Sequence, residues 1–167
     1  MKPGAIVVLA RVPRPGQAKT RLEPRLGAVG AAALAACFLQ DTLTGALAVG
    51  ADVFLAFTPA ECQGEVRSLV LPGVHLFPQV EGDLGRRQAA AFRIARSQGP
   101  GPVLLIGSDS PTLPVPILAD ALARLRAAPE EILLGPTEDG GYYLLGLSEW
   151  PGGLLDQVTW SSPTVYE

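Results

Sequence analysis

Short apolar runs, separated by longer segments with helical spacing, set the limits on what this chain can fold into. Ala5–Arg11, Asp52–Phe57, Val74–Phe77 and Val103–Gly107 are rich in Val, Ile, Leu and Phe and read as buried strands. Between them lie four helical segments: roughly Ala28–Val49, Glu61–Leu71, Leu84–Ser97 and Val115–Ala127. Asp83 is the expected N-cap of the third, Pro72-Gly73 stops the second, and Pro114 and Pro116 open the fourth. Ile132–Gly135 and Tyr142–Leu147 read as two further strands around Glu138-Asp139-Gly140-Gly141. Strands alternating with helices imply a mostly parallel sheet with helices on both faces. The 167 residues suit one domain, 1–167, with ample chain to bury a core. Ser161-Ser162-Pro163-Thr164 reads as one more helix start close to the last residue. The expectation is a last helix that is vestigial, or a chain lacking a C-terminal portion.

Charge enters the argument through its distribution. Nearly half the residues are apolar and only 17% are charged, which excludes a disordered chain. A net charge of -3 argues against a general nucleic-acid binder. Yet Lys2 to Arg25 carries six of the thirteen cations against one acid, Glu23, whereas Glu130 to the end carries seven acids and no Lys or Arg. This split suits a site that clamps phosphate and metal together, and solvated surfaces give the same split. Cys37 and Cys62 lack metal-ligand spacing, and Cys37, in an Ala-rich helical run, is expected in the core. The lone histidine, His75, falls on a short strand. No signal peptide is evident, and the apolar run near Gly27 to Leu39 reads as too short to span a bilayer, so the chain is expected to be cytoplasmic, with no membrane partner.

Ligands of open α/β sheets sit at the carboxyl ends of strands, and four segments of unusual chemistry follow strands here. After the first comes Val12-Pro-Arg-Pro-Gly-Gln-Ala-Lys-Thr-Arg-Leu22, which with Arg11 gathers Arg11, Arg14, Lys19 and Arg21. Such cations call for an anion, phosphate first; the bland alternative is a solvated loop. The loop matches neither a Walker A nor a dinucleotide fingerprint. After the fourth strand, Gly107-Ser-Asp-Ser-Pro-Thr-Leu-Pro114 puts the Asp109 carboxylate where it can hold a hard divalent cation, or simply form an Asx-turn. Glu138-Asp139-Gly140-Gly141 is either a hairpin turn or a place where substrate approaches the backbone closely. Gly82-Asp83-Leu84-Gly85 opens a helix whose N-terminus offers backbone donors to an anion or a base edge, and capping alone explains Asp83.

Taken in order, Ala10 to Leu22, Gly82-Asp-Leu-Gly85, Ile106-Gly-Ser-Asp-Ser-Pro111, Asp139-Gly-Gly-Tyr-Tyr-Leu144 and Trp160-Ser-Ser-Pro163 resemble the selenodomain-associated, glycosyltransferase-like transferases. These belong to the nucleotide-diphospho-sugar transferase superfamily, with 2-phospho-L-lactate and molybdenum cofactor guanylyltransferases as relatives. The resemblance implies a GT-A-like, Rossmann-type three-layer α/β/α sandwich with a C-terminal antiparallel strand. It implies nucleotide and phosphate binding by Arg11, Gly16, Lys19, Thr20, Arg21, Gly82, Asp83 and Gly85. Asp109 would be a metal ligand for Mg²⁺ or Mn²⁺, with Asp139 a second candidate, and Asp139, Gly140 and Gly141 would face the acceptor. Two departures stand out: Arg86-Arg87-Gln88 replaces an acid-plus-apolar pattern, and the Asp-x-Asp-Thr-Pro-like segment of a usual last strand is absent.

The expected activity is a metal-dependent transferase using a nucleotide-activated substrate, in which Asp109, Lys19 and Arg21 carry the chemistry. Two reactions suit such a site: nucleotidyl transfer from an NTP to a phosphorylated acceptor, and glycosyl transfer from a nucleotide sugar. A non-catalytic nucleotide-binding module is the rival from another class, and a second copy of the chain is a candidate partner. No glycine fingerprint follows the first strand, against a dehydrogenase. A single histidine and no G-x-S-x-G count against a Ser-His-Asp hydrolase.

Overall fold

The computed structural model describes residues 2–156, 158 and 160. Six strands form one sheet in the order β3-β2-β1-β4-β6-β5, where β1 is Ala5–Arg11, β2 Asp52–Thr58, β3 Val74–Pro78, β4 Val103–Gly107, β5 Ile132–Pro136 and β6 Tyr142–Leu147. β1 pairs in parallel with β2 and β4, and β2 with β3. β6 runs antiparallel to both β4 and β5. β1 is central, and its first four residues and Ala10 are buried, because a strand covered on both faces must be apolar throughout.

The helices are α1 Glu23–Ala48, α2 Gln63–Leu69, α3 Leu84–Ser97 and α4 Val115–Ala127. Alternate strand side chains divide the core in two. Ile6, Val8, Leu55, Phe57, Leu104 and Ile106 meet α1, α2 and α4 residues such as Leu43, Val66 and Leu122. Val7, Phe54, Ala56 and Leu105 meet Ala91, Phe92 and Ala95 of α3, with Trp150, Leu154 and Leu155 packed alongside. The expected mixed α/β sandwich with an antiparallel strand near the C-terminus is the architecture seen. Asp83 caps α3 as anticipated: its Oδ1 accepts from the Arg86 amide at 2.8 Å.

Three local expectations differ from the structure. Cys37 is exposed. Two residues turn a helix by about 200°, so Cys37 stands opposite buried Leu39. The apolar helix is also longer than the run Gly27–Leu39: Thr20–Ala48 is long and apolar enough, by length and composition, to cross a bilayer. Its inner face instead buries Leu39, Leu43 and Ala46 against the sheet. Gly27 (φ 69°, ψ 164°) breaks its first turn from the rest, a conformation only glycine adopts freely. Finally, α2 begins with a tight turn over Ala60–Cys62 and ends at Leu69, with Val70 already extended two residues before Pro72. Ser161 to Thr164 lies outside the described residues.

Candidate functional site

All four segments of interest lie at one edge of the sheet. Because β6 pairs with β4 antiparallel, with Ile106 opposite Leu144, β6 starts where β4 ends. The Asp139 turn therefore shares the carboxyl edge with Arg11, Asp109 and the Gly82 loop. Sharing an edge does not make them one site.

The loop after β1 and the loop after β4 enclose a cleft of about 670 Å³, in the range of small-molecule sites. Arg11, Lys19, Thr20, Arg21 and Asp109 all line it. Gln17, Leu22 and Ala35 contribute to its walls, with Gly107 and Ser108 behind Asp109. Lys19 Nζ sits 2.8 Å from Asp109 Oδ1. The Lys19 side chain is only 18% exposed while that of Asp109 is 78% exposed, so the carboxylate is the solvent-facing half of the pair. Lys19 is also the one non-glycine residue with positive φ among those described (φ 53°, ψ 38°). Left-handed backbone at a lysine costs of order 1–3 kcal/mol and tends to persist at functional sites. Its ammonium lies 4.7 Å from the centre of the Phe38 ring, within cation–π reach.

Arg14 leaves the basic group. It pairs with Glu65 through both Nε (2.8 Å) and Nη2. That hydrogen bond raises the Arg14 pKa and lowers that of Glu65. Among the described residues, Arg11 and Arg21 make no ion pair, so the cleft keeps two uncompensated guanidinium groups.

The other expected site residues are not among those lining the cleft. Gly16 (φ 76°) shapes the loop that leads to Lys19. Asp139 Oδ1 accepts from Thr137 Oγ1 at 2.5 Å and from the Gly141 amide at 3.3 Å, and Gly140 turns the chain at φ 83°. The Thr137 hydroxyl and then the Gly141 amide hold the Asp139 carboxyl below its ordinary pKa. Tyr142 donates to Gln88 Oε1 at 2.6 Å; burial raises its pKa and the hydrogen bond partly offsets this. Asp83 and Gly85 line a separate groove with Arg86, Arg93, Trp150 and Asp156. A Cβ on Gly85 would come within 3.0 Å of Leu155 and Trp160, so this glycine lets the C-terminal turn pack on α3.

Phe38 escaped the sequence reading. Its only signal is the three-residue spacing from Ala35 on α1, which a core helix produces anyway.

A metal has few protein donors here. Among the described residues no three His, Cys, Asp or Glu side chains converge, and Asp109 is the only acid lining the cleft. That donor set does not fit a self-sufficient metal cage. It does fit Mg²⁺ or Mn²⁺ held by one carboxylate together with substrate phosphates and water.

Residues 42–162 match the model of a family described as "Uncharacterized protein conserved in bacteria (DUF2064)". The chain belongs to this family. It is also similar to the crystal structure of a "putative nucleotide-diphospho-sugar transferase" from Desulfovibrio desulfuricans G20, with 32% identity and a TM-score of 0.90, over 99% of this chain and 73% of that one. Rv0371c from Mycobacterium tuberculosis H37Rv gives a TM-score of 0.55 at 23% identity, over 87% of this chain and 70% of that one. A CMP:2-keto-3-deoxy-manno-octonic acid synthetase complexed with CTP gives 0.53 at 14% identity, over 86% and 71%. These last two likenesses carry the fold alone. No curated protein sequence matches. This DUF2064 chain therefore has a nucleotide-diphospho-sugar transferase-like fold.

Proposed function

We propose that the cleft binds the phosphates of a nucleotide-activated substrate and that the protein transfers a nucleotidyl or glycosyl group from it. The observation that carries this reading is the Lys19–Asp109 contact at 2.8 Å, in a cleft that Arg11 and Arg21 also line. A cation cluster with one exposed carboxylate suits a polyphosphate together with a divalent ion. The likeness to the structure described as a "putative nucleotide-diphospho-sugar transferase" supports the same class.

In this reading Arg11 and Arg21 bind phosphate oxygens, as planar guanidinium groups do well. Lys19 stabilises negative charge gathering on the departing phosphate. The Asp109 carboxylate would hold Mg²⁺ or Mn²⁺, which when bound supplies Lewis-acid neutralisation of phosphate charge. Such transfers rely on position and electrostatics more than on covalent help from the protein. The acceptor side falls to the Asp139–Gly141 turn at the same sheet edge.

A second reading has its own support. With a single acid in the cleft and Asp139 Oδ1 engaged in its own turn, the chain has the parts of a nucleotide-binding module without turnover. One experiment separates the readings. Nucleoside triphosphates and nucleotide sugars, each with and without Mg²⁺ or Mn²⁺, are screened for a rise in Tm and then for product. Pyrophosphate release marks nucleotidyl transfer, nucleoside diphosphate release marks glycosyl transfer, and a Tm rise without product marks the module. No Tm rise with any of them rejects the cleft as a nucleotide site.

A further inference from the structure

Lys19 does something more specific than add positive charge. Its ammonium lies 2.8 Å from a carboxylate oxygen of Asp109, the one acid lining that cleft among the described residues. We propose that Lys19 is the built-in cation of Asp109, excluding free divalent metal until a polyphosphate draws the ammonium away. The inference rests on reading the cleft as a polyphosphate site.

Three features hold the lysine in that role. The left-handed backbone at residue 19 directs the side chain from the loop, the Phe38 ring lies 4.7 Å from the ammonium, and Asp109 accepts at 2.8 Å. A freely moving surface lysine loses entropy when it pairs, which is why most exposed pairs are worth little. Here the Phe38 ring gives the ammonium a second contact beside the carboxylate. The Lys19 side chain is also only 18% exposed, so its ammonium gains from keeping an anionic partner. Free Mn²⁺ or Mg²⁺ displacing it from Asp109 would leave a stranded cation facing Phe38, with a divalent ion a few ångströms away. A polyphosphate changes the exchange. Phosphate oxygens accept from Lys19 while the carboxylate is released to the metal, and every charge keeps a partner. Phe38 is then a positioning residue, holding the ammonium over its ring face before and after the exchange.

The test begins with metal alone. Free Mn²⁺ is titrated with the full chain and followed by its electron paramagnetic resonance, for the wild type, Lys19→Met, Lys19→Gln and Lys19→Met/Asp109→Asn. Removing the competing charge at this separation is expected to tighten Mn²⁺ binding about tenfold in both Lys19 variants. The gain should vanish in the double variant. Equal affinities in wild type and Lys19 variants, or a gain that survives loss of Asp109, overturn the proposal. No nucleotide is present, so this outcome is independent of the ligand screen above.

A measurement on the wild type covers the case of a variant that fails to fold. The chain has two lysines, Lys2 and Lys19, and Lys2 pairs with Asp52 at 2.6 Å at the opposite edge of the sheet. In a ¹⁵N spectrum of the ammonium groups, Mg²⁺ alone should leave the Lys19 signal in place. Mg²⁺ with inorganic pyrophosphate should move it, with Lys2 fixed as the internal control. Movement with Mg²⁺ alone overturns the proposal.

Discussion

Two loops at the same sheet edge use their charges in opposite ways. In the β5–β6 turn, Asp139 Oδ1 accepts from its own neighbours, Thr137 and Gly141, and the ring of Tyr143 lies where a Cβ on Gly135 would fall. In the loops after β1 and β4, Arg11 and Arg21 have no ion-pair partner among the described residues, and Asp109 reaches only Lys19, across ninety residues of chain. A carboxylate that satisfies its own backbone is explained by the turn it makes. Cations crowded around one exposed acid, on a strained backbone, are not explained by folding. The proposed phosphate chemistry therefore rests on the second loop pair, and the Asp139 carboxylate needs no ligand to account for it.

The sharpest way to break this contrast is Asp109→Asn. It should lower turnover by about 10²–10³, as loss of a contact to developing charge does, with only a small fall in Tm as Lys19 loses its partner. Lys19→Ala should follow it at about 10². If either variant keeps full activity in a product-release assay, that residue leaves the mechanism. On the structural side, Gly146→Ala should do the reverse. Its Cβ would lie 2.6 Å from Leu104 Cδ2 and 3.0 Å from Leu125 Cδ1 in the core. Overpacking of this kind costs about 1–3 kcal/mol, visible in chemical denaturation, while ligand affinity per folded molecule holds. Arg14→Ala sharpens the contrast within one loop. Since Glu65 already occupies Arg14, turnover should change less than about twofold, as an exposed pair contributes little. Arg21→Ala should weaken substrate binding far more.

The smallest effect concerns acid. The Asp139 pKa is lowered by folding, so its contribution to stability is present above the unfolded carboxyl value of about 3.9 and is lost as pH falls through the lower folded value. Asp139→Asn should lower Tm slightly at pH 7, where the carboxylate contributes, and converge with the wild type below about pH 4, which flattens the acid limb. An unchanged acid limb would show that Thr137 and Gly141 do not hold the carboxylate in solution.

Much of this was legible in the residues and some was not, for reasons that differ by range. β1, β4, β6, α3 and α4 begin and end where their apolar runs, prolines and the Asp83 cap put them. These are local signals. Cys37 went wrong because an Ala-rich helix is apolar all round, and its phase depends on the neighbouring sheet. The Arg14–Glu65 pair links residues 51 apart, and the Lys19 contact with Phe38 joins a loop to the middle of a helix. No local pattern encodes either. The convergence of Lys19 on Asp109 was accessible only through topology: β1 and β4 are neighbours, so their carboxyl-end loops meet.

The most direct test is a crystal structure with Mn²⁺ and whichever nucleotide raises Tm in the screen, using manganese anomalous scattering to place the ion. The account predicts polyphosphate density between Arg11, Arg21 and Lys19, manganese on Asp109, and the Lys19 ammonium turned to phosphate. A nucleotide lodged instead in the groove of Asp83, Arg86 and Arg93, with Lys19 still on Asp109, would contradict it.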